Sequence, residues 1–224
     1  NTNSQIDSII ERGWLENING ISVLHISGSF YEMGYQNGFL LRDLIVENLR
    51  AFNYYYEHKK GITYNDFLDL WNTQKNYVSK DSINYTLGIA DGAGLPFDHI
   101  AITWIYEGGV YIYRCSGFSV WDTATHDNEL FCARSLDWFL DIQDPISGKY
   151  IQENPLLIVA NPDNGHAFLY PSFAGQAIEG GINEKGVSVS NMYSTNIDRT
   201  IYGKPMNVRL FEALYKASSV DEAI

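Results

Sequence analysis

The sequence predicts an α+β fold in which helices pack on the outside of antiparallel sheets. Within residues 40–89 and 207–217, apolar side chains recur at intervals of three and four, which indicates amphipathic helices. From residue 114 to residue 191, short apolar runs alternate with turns rich in Gly, Asn and Asp. Because successive hairpins build antiparallel sheets, the helices are left to cover the sheets from outside.

Composition limits the classes of protein and of partner. With 224 residues, 45% of them hydrophobic, the chain has enough apolar material for one large or two small domains with a sizeable core. A net charge of -12 argues against nucleic acid or an anionic membrane as a partner, so a small molecule is expected. The sequence has no apolar run of spanning length and no basic signal-peptide start. It predicts a soluble protein, secreted or in a mature form without its signal peptide, and leaves the compartment open.

The first ninety residues predict a strand followed by helices. A helical pattern surrounds Ile6, Ile9 and Ile10, and residues 21–28 alternate as in a strand. The segment 28–38 then spaces three glycines and two polar residues, Gly28, Glu32, Gly34, Gln36 and Gly38, ahead of an amphipathic helix. Because glycine has no side chain, we expect this helix to approach a sheet closely. Residues 53–89 predict one or two scaffold helices, and residues 100–106 fit either a helix or a buried strand.

Three hairpins follow. Residues 114–121 and 130–138 flank a polar turn, 155–160 and 166–170 flank a second turn, and the third hairpin turns at Asn183–Gly186. In the first hairpin Cys115 opens one strand, while Arg134 and Asp137 close the other. The chain has one other cysteine, Cys132, which is expected to be a small core residue, so no disulfide framework is predicted.

Cys115 suits nucleophilic catalysis if the peptide bond before it is cut. The cut would free an α-amine, which titrates near about 7.7 to 8.0 and can relay a proton at neutral pH. The fixed positive charge of Arg134 would favour the thiolate. Asp137 could hold either the guanidinium or the new ammonium group, although a merely structural Arg134–Asp137 ion pair is the alternative.

Cys115 and the segment Arg134-Ser135-Leu136-Asp137 resemble the nucleophile and Arg-x-x-Asp pattern of N-terminal-nucleophile amide hydrolases of the choloylglycine hydrolase and penicillin V acylase type. The resemblance is closer to the acyl-coenzyme A:6-aminopenicillanic acid acyltransferase-like and phospholipase B-like relatives. The glycine pattern of 28–38 is similar to the N-terminal signature of the acyltransferase-like family. Residues 181–187 are similar to the Gly-x-Asn-Glu-Lys-Gly hairpin of the same hydrolases. The chain departs from the family at Arg114, where small residues are common, and at Ser135, where Asn is frequent.

The resemblance implies a four-layer αββα sandwich of stacked antiparallel sheets that is incomplete at the C-terminus. It divides one fold into a largely helical, α-subunit-like pro-segment, 1–114, and the start of a β-subunit-like catalytic part, 115–224. Tyr193 or Asn191 would be the oxyanion donor, and this choice stays open. The resemblance also implies a second donor asparagine on a downstream segment, so the 224 residues alone are expected to be weakly active and to associate, with about a hundredfold gain when that segment is restored.

The function implied is hydrolysis of linear amide C–N bonds through an acyl-enzyme, after autocatalytic cleavage before Cys115. Alternatives are an acyltransferase, a phospholipase B-like acyl hydrolase, or a catalytically silent relative with a structural or binding role. The expected substrate is an N-acyl amide or an acyl ester, and residues around Phe139, Leu140 and Tyr193 would set its acyl pocket. No cofactor and no metal are expected, because the five histidines lack ligand spacing. Expected partners are a downstream or processed C-terminal segment and a second copy of the chain.

Overall fold

A computed structural model describes residues 2–109, 114–176, 178–192, 198 and 200–224. The predicted α+β class is confirmed. The helices are α1 (Thr2–Ile10), α2 (Phe30–Leu40), α3 (Arg42–Tyr55), α4 (Tyr64–Gln74), α5 (Lys80–Ala93), α6 (Phe97–Ala101), α7 (Met206–Lys216) and α8 (Val220–Ala223). The strands are β1 (Trp14–Ile18), β2 (Ile21–Gly28), β3 (Arg114–Asp122), β4 (Asn128–Asp137), β5 (Leu156–Pro162), β6 (Phe168–Ser172), β7 (Gly180–Asn183) and β8 (Ser188–Ser190).

Shorter helical turns complete the list of elements. A π-helical turn at Tyr56–Lys60 extends α3, and 3₁₀ turns occur at Lys75–Tyr77, Ile102–Gly109 and Ile151–Glu153. The ambiguous segment 100–106 is therefore helical. Within the described ranges, no helix combines the length and the apolar character needed to cross a membrane.

The strands form two sheets. Six of them are hydrogen-bonded in the order β1-β2-β5-β6-β7-β8, and β3 pairs only with β4 among the described strands. The prediction of purely antiparallel sheets is wrong at one place, because β2 and β5 are parallel from Ser22 opposite Leu156 to Gly28 opposite Pro162. The helices α2 to α6 and the β3–β4 hairpin lie between these two strands in the chain, and such a long crossover lets β5 return in the same direction as β2. Residues 1–114 and 115–224 thus share one sheet.

The start of α2 is fixed by polar residues of the 28–38 motif. Gly28 has φ 116°, a conformation that favours glycine, and lets the chain leave β2. Ser29 is the N-cap, and Glu32 completes a capping box by accepting from the Ser29 amide at 2.8 Å. One turn later, the Gln36 side chain accepts from the Ser27 amide at 2.9 Å and donates to the Ser27 carbonyl at 2.8 Å. These contacts join α2 to the end of β2.

The motif glycines bring α2 against another helix. Gly34 and Gly38 of α2 face Gly88 and Gly92 of α5, and a Cβ built on Gly34 would lie 2.1 Å from the carbonyl oxygen of Tyr85. The expectation that these glycines approach a sheet is therefore wrong. They allow two helix backbones to touch, which no larger residue permits at these positions.

A cluster of aromatic rings joins the helices to the six-stranded sheet. Phe211 of α7 lies at its centre, with ring centroids 5.8 Å from Phe30, 5.2 Å from Tyr85, 5.5 Å from Trp104 and 5.7 Å from Phe168. All five rings are buried, and aromatic pairs at such separations stabilise beyond the area that they bury. The position of α7 is therefore set by α2, α5 and β6 together.

Asn183 fixes the turn between β7 and β8 against the far end of α7. Its buried Nδ2 donates to the carbonyls of Leu214 and Ala217 at 2.9 and 2.7 Å. Its Oδ1 accepts from the amides of Lys185 and Val187, both at 3.0 Å. The predicted hairpin is confirmed, and its asparagine satisfies C-terminal carbonyls of a helix that would otherwise lack partners.

The loop after β4 is joined to α3 by an ion pair between a buried carboxylate and a partly exposed arginine. Asp144 is 1% exposed, and both of its carboxylate oxygens accept from the guanidinium of Arg50, one of them at 2.6 Å. The Ser147 amide also donates to it, at 2.9 Å. The hydrogen bonds from Arg50 make the largest contribution, and together with that from Ser147 they hold the pKa of the Asp144 carboxyl well below its usual range.

We predict that Gly34→Ala lowers the free energy of unfolding by about 3 kcal/mol, because the new methyl group meets a backbone carbonyl that cannot move alone. Urea denaturation followed by circular dichroism measures the loss. Gly203→Ala is the matched control, because a Cβ at Gly203 meets nothing within 4 Å. Equal urea midpoints for Gly34→Ala and the parent protein would contradict the helix contact.

We predict that Asp144→Asn destabilises the protein at pH 7 and that this difference shrinks in acid. Because the folded-state pKa is lowered, the carboxylate stabilises fully above its unfolded pKa of about 3.9, and this contribution is lost as pH falls through the folded pKa. Urea unfolding at pH 7 and at lower pH measures both effects. The exposed Asp141→Asn serves as the control, and a difference that does not depend on pH would show that the ion pair is not the cause.

Candidate active site

The β3–β4 hairpin places Cys115 and Arg134 on one face. Cys115 pairs with Leu136 and Gly117 with Arg134 in an antiparallel register. Residues paired in this way, and residues two apart along a strand, project from the same face of the sheet. The Nη2 of Arg134 accordingly donates a hydrogen bond to the Sγ of Cys115 at 3.3 Å. The thiol is half-buried, with a fixed positive charge beside it.

Glu179 is the second partner of Arg134 and belongs to the segment that leads into β7. The Nη2 of Arg134 lies 3.4 Å from the Glu179 carboxylate, and the Nη1 donates to the Glu179 carbonyl at 3.4 Å. The two side chains are only 16% and 17% exposed, so solvent screens their interaction less than it would screen a surface pair. This ion pair joins the hairpin to the six-stranded sheet.

Asn191 lies in the same polar cluster. Its amide donates to the Glu179 carbonyl at 2.9 Å, and its Nδ2 lies 3.4 Å from the Glu179 carboxylate. The candidates Cys115, Arg134 and Asn191 are thus brought together, through a glutamate that the sequence interpretation missed. The only sequence signal for Glu179 is that it is the sole charged residue of the apolar segment 173–182.

Asp137 lies on the other face of the hairpin. It is paired with Arg114 across the two strands, it is exposed, and it accepts from the Ser135 hydroxyl at 2.8 Å. In the described part of the chain, Arg134 forms its ion pair with Glu179 and not with Asp137. The pairing nevertheless puts the backbone of Asp137 beside the bond between residues 114 and 115, so a role toward the new ammonium stays a prediction. Tyr193 lies outside the described residues.

Cys132, Phe139 and Leu140 lie in surroundings that differ from those expected. Cys132 is exposed and lies 3.1 Å from the Ser119 hydroxyl, so it is not a core residue. Phe139 packs on Tyr55, with 5.2 Å between ring centroids, and Leu140 is 75% exposed. Neither lines the cavity described next, because the chain turns from β4 toward α3 at this point.

A cavity of about 1080 Å³ lies between the hairpin and the six-stranded sheet. Arg134 and Gly117 line it, so it adjoins Cys115. Arg134 and Glu179 are the only charged residues among its described lining, and they neutralise each other. Most of the wall is apolar, and its large side chains include Leu136, Trp138, Leu169, Phe173, Ile182 and Val189. The cavity can therefore hold a sizeable apolar group next to a thiol.

Metal chemistry has no evident site in the described ranges, where no three His, Cys, Asp or Glu side chains are grouped closely enough to bind an ion. The polar atoms next to Cys115 are instead one guanidinium, one carboxylate and one carboxamide. The guanidinium and the carboxamide can donate hydrogen bonds to a thiolate or an oxyanion, and the carboxylate can hold both donors in position.

The comparisons with known proteins give relatives but no family. No protein-family model matches the chain. It is 28% identical over 233 residues to the protein dcd1B of Dictyostelium discoideum, an alignment that covers 92% of this chain and 45% of dcd1B. It is 26% identical over 215 residues to an uncharacterized protein of Archaeoglobus fulgidus, covering 80% of this chain and 34% of that protein. The chain thus spans less than half the length of both relatives, and neither name states an activity.

We predict that the charge of Arg134 controls the reactivity of Cys115. In a Cys132→Ser background, so that one thiol reacts, Arg134→Ala should slow alkylation by iodoacetamide near pH 7 by roughly tenfold. That factor corresponds to about 1.4 kcal/mol, within the range of about 1 to 4 kcal/mol for a charge pair between water and protein-like screening. Arg134→Lys should keep part of the rate, because it keeps the charge and loses the planar fork.

Glu179→Gln is the matched counterpart, because it removes the neutralising charge and keeps the shape. It should react at least as fast as the parent protein. Mass spectrometry of the alkylated protein over time gives all four rates. Equal rates in the four proteins would show that Arg134 and Glu179 only join the two sheets and do not affect the reactivity of Cys115.

Proposed function

We propose that this protein is an N-terminal cysteine hydrolase that cleaves linear amide C–N bonds through an acyl-enzyme, after the chain is cut before Cys115. The observation that carries the proposal is the 3.3 Å contact between Arg134 and the Cys115 thiol, at the start of a strand beside a large apolar cavity. A thiol with a cation beside it and space for an acyl group meets the first requirements of such chemistry.

The cut activates the nucleophile. In the proposed step, the Cys115 Sγ attacks the carbonyl carbon of Arg114, the peptide C–N bond breaks, and the nitrogen leaves as the α-amine of Cys115. Water then hydrolyses the resulting thioester and leaves Arg114 with a carboxylate. The pairing of Arg114 with Asp137 supports this step, because it puts the backbone of an acidic residue beside the nitrogen that becomes the ammonium group.

In turnover, the α-amine takes the thiol proton while the sulfur attacks the amide carbonyl of the substrate. The amine then gives this proton to the leaving nitrogen, and the acyl group stays on sulfur until water removes it. Asn191 or Tyr193 would donate to the oxyanion. Glu179 would act as a positioning residue, because it contacts both Arg134 and Asn191.

The architecture is compatible with the four-layer αββα sandwich that this function implies. One helix layer, a six-stranded sheet and the hairpin across the cavity account for three successive layers. Since the chain spans less than half of its two relatives, the activity of a longer protein that contains it is part of the proposal. An amine in place of water would turn the same acyl-enzyme into an acyltransferase, so the assay below includes an acceptor amine.

We predict that the parent protein splits between Arg114 and Cys115, and that Cys115→Ala remains one chain because it lacks the attacking sulfur. Denaturing electrophoresis and intact mass identify the two pieces. On a panel of N-acyl anilides, with and without an acceptor amine, Cys115→Ala should lose activity by about 10⁴-fold or more, as removal of a catalytic nucleophile commonly does.

Cys132→Ser is the matched control and should split and hydrolyse like the parent protein, because the Cys132 thiol contacts the Ser119 hydroxyl and the substitution keeps a small polar side chain there. Two outcomes would overturn the proposal. One is splitting of Cys115→Ala at the same bond in a protease-free preparation. The other is a parent protein that neither splits nor cleaves any substrate of the panel.

A further inference from the structure

Two carboxamide side chains of the cavity lining each hold a buried polar atom without a hydrogen-bond partner among the described residues. The atoms are the Oδ1 of Asn207 and the Nε2 of Gln176. The Nε of Arg134 is also buried without a partner, but it belongs to the side chain that forms the ion pair with Glu179. Asn207 is 3% exposed and belongs to the first turn of α7, so a helix holds it in place. The backbone of Gln176 is held by its amide, which donates to the Phe173 carbonyl at 2.9 Å. Buried polar atoms are nearly always hydrogen-bonded, so a buried donor or acceptor at a cavity wall is available to a group that enters the cavity.

The two atoms are complementary in type. The Oδ1 of Asn207 accepts a hydrogen bond and the Nε2 of Gln176 donates one. A hydroxyl or an amide offers both a donor and an acceptor, whereas a carboxylate offers only acceptors and would face the asparagine oxygen. Arg134 is the one cation of the described lining, and Glu179 neutralises its charge, so this wall offers a carboxylate no net positive charge. A neutral group fits this part of the wall better than a charged one.

We propose that Asn207 and Gln176 bind a neutral hydrogen-bonding group, a hydroxyl or an amide, carried by the apolar part of the substrate. The bound molecule is a substrate only if the proposed function holds. The preference for a neutral hydrogen-bonding group follows from the cavity alone. The expected ligand is therefore an apolar acyl group with a hydroxyl or amide remote from the bond that is cleaved. The pair selects such a group over a plain chain and over a chain that ends in a carboxylate.

The test uses ligands without an amide bond, so that binding is measured whether or not the protein is a hydrolase. Octanol, octyl chloride and octanoate compete with the dye anilinonaphthalene sulfonate, whose fluorescence reports occupancy of apolar cavities. For each protein we compare the ratio of two dissociation constants, that of the alcohol and that of the chloride. The two ligands differ in hydrophobicity by the same amount for every variant, so a change in the ratio reports a change in hydrogen bonding. Asn207→Leu and Gln176→Met keep the side-chain size and remove the polar atoms.

Each of these two variants should shift the ratio against the alcohol by at least about tenfold, because a buried hydrogen bond is lost. Ser190→Ala, a polar residue of the same cavity that lies on an exposed strand, should leave the ratio unchanged. In the parent protein octanoate should bind more weakly than octanol. Ratios that agree within about twofold in the parent and both variants, or stronger binding of octanoate than of octanol, would overturn the inference.

Thermal unfolding checks that each variant is folded, and Gln176→Met, outside helix and strand, keeps the test open if Asn207→Leu is unstable. The outcome separates the two proposals. A shifted ratio with no cleavage of N-acyl anilides would sink the proposed function and keep the binding site. Cleavage with an unchanged ratio would overturn the binding site and leave the proposed function standing.

Discussion

The backbone contact between α2 and α5 is the constraint on which the arrangement of the helices depends. Because Gly34 and Gly88 leave no room for side chains, the two helices lie closer than ordinary packing allows. One ring from each helix, Phe30 and Tyr85, then reaches Phe211 and sets the position of α7. The two ends of α7 in turn carry the cavity residue Asn207 and the carbonyls that hold the β7–β8 turn. A change in helix spacing would therefore be transmitted to the candidate site.

Much of the local structure could be predicted from the sequence, because local patterns determine it. The three hairpins, the helix that begins after Gly28, and α7 follow from periodicity and turn chemistry. Partners across the fold were harder to predict. Alternation identifies β2 as a strand but does not say that β5 lies beside it in parallel. Glycines four residues apart indicate a close approach, yet they do not say whether a sheet or a helix makes it.

The candidate site shows the same division. The hairpin pattern placed Cys115 and Arg134 close together, and the structure agrees. The spacing of Arg134 and Asp137 carried more information than the prediction used, because residues three apart in a strand point to opposite faces. Glu179 could not have been found in this way, since it approaches from a distant segment with no spacing to mark it. Cys132 is exposed because a cavity, not a packed layer, adjoins it, and no local pattern in the sequence reports that space.

The parallel pairing of β2 with β5 affects how the protein would unfold and refold after its backbone is cut. If the chain is cut before Cys115, the pieces 1–114 and 115–224 remain hydrogen-bonded within one sheet, so a single chain becomes a two-subunit protein without any change of shape. Refolding then becomes a reaction between two chains. An uncut chain brings its two halves together at the high effective concentration of a tether, whereas two separate pieces must meet by diffusion. Unfolding that is reversible before the cut would become dependent on concentration after it, and at cellular dilution close to irreversible.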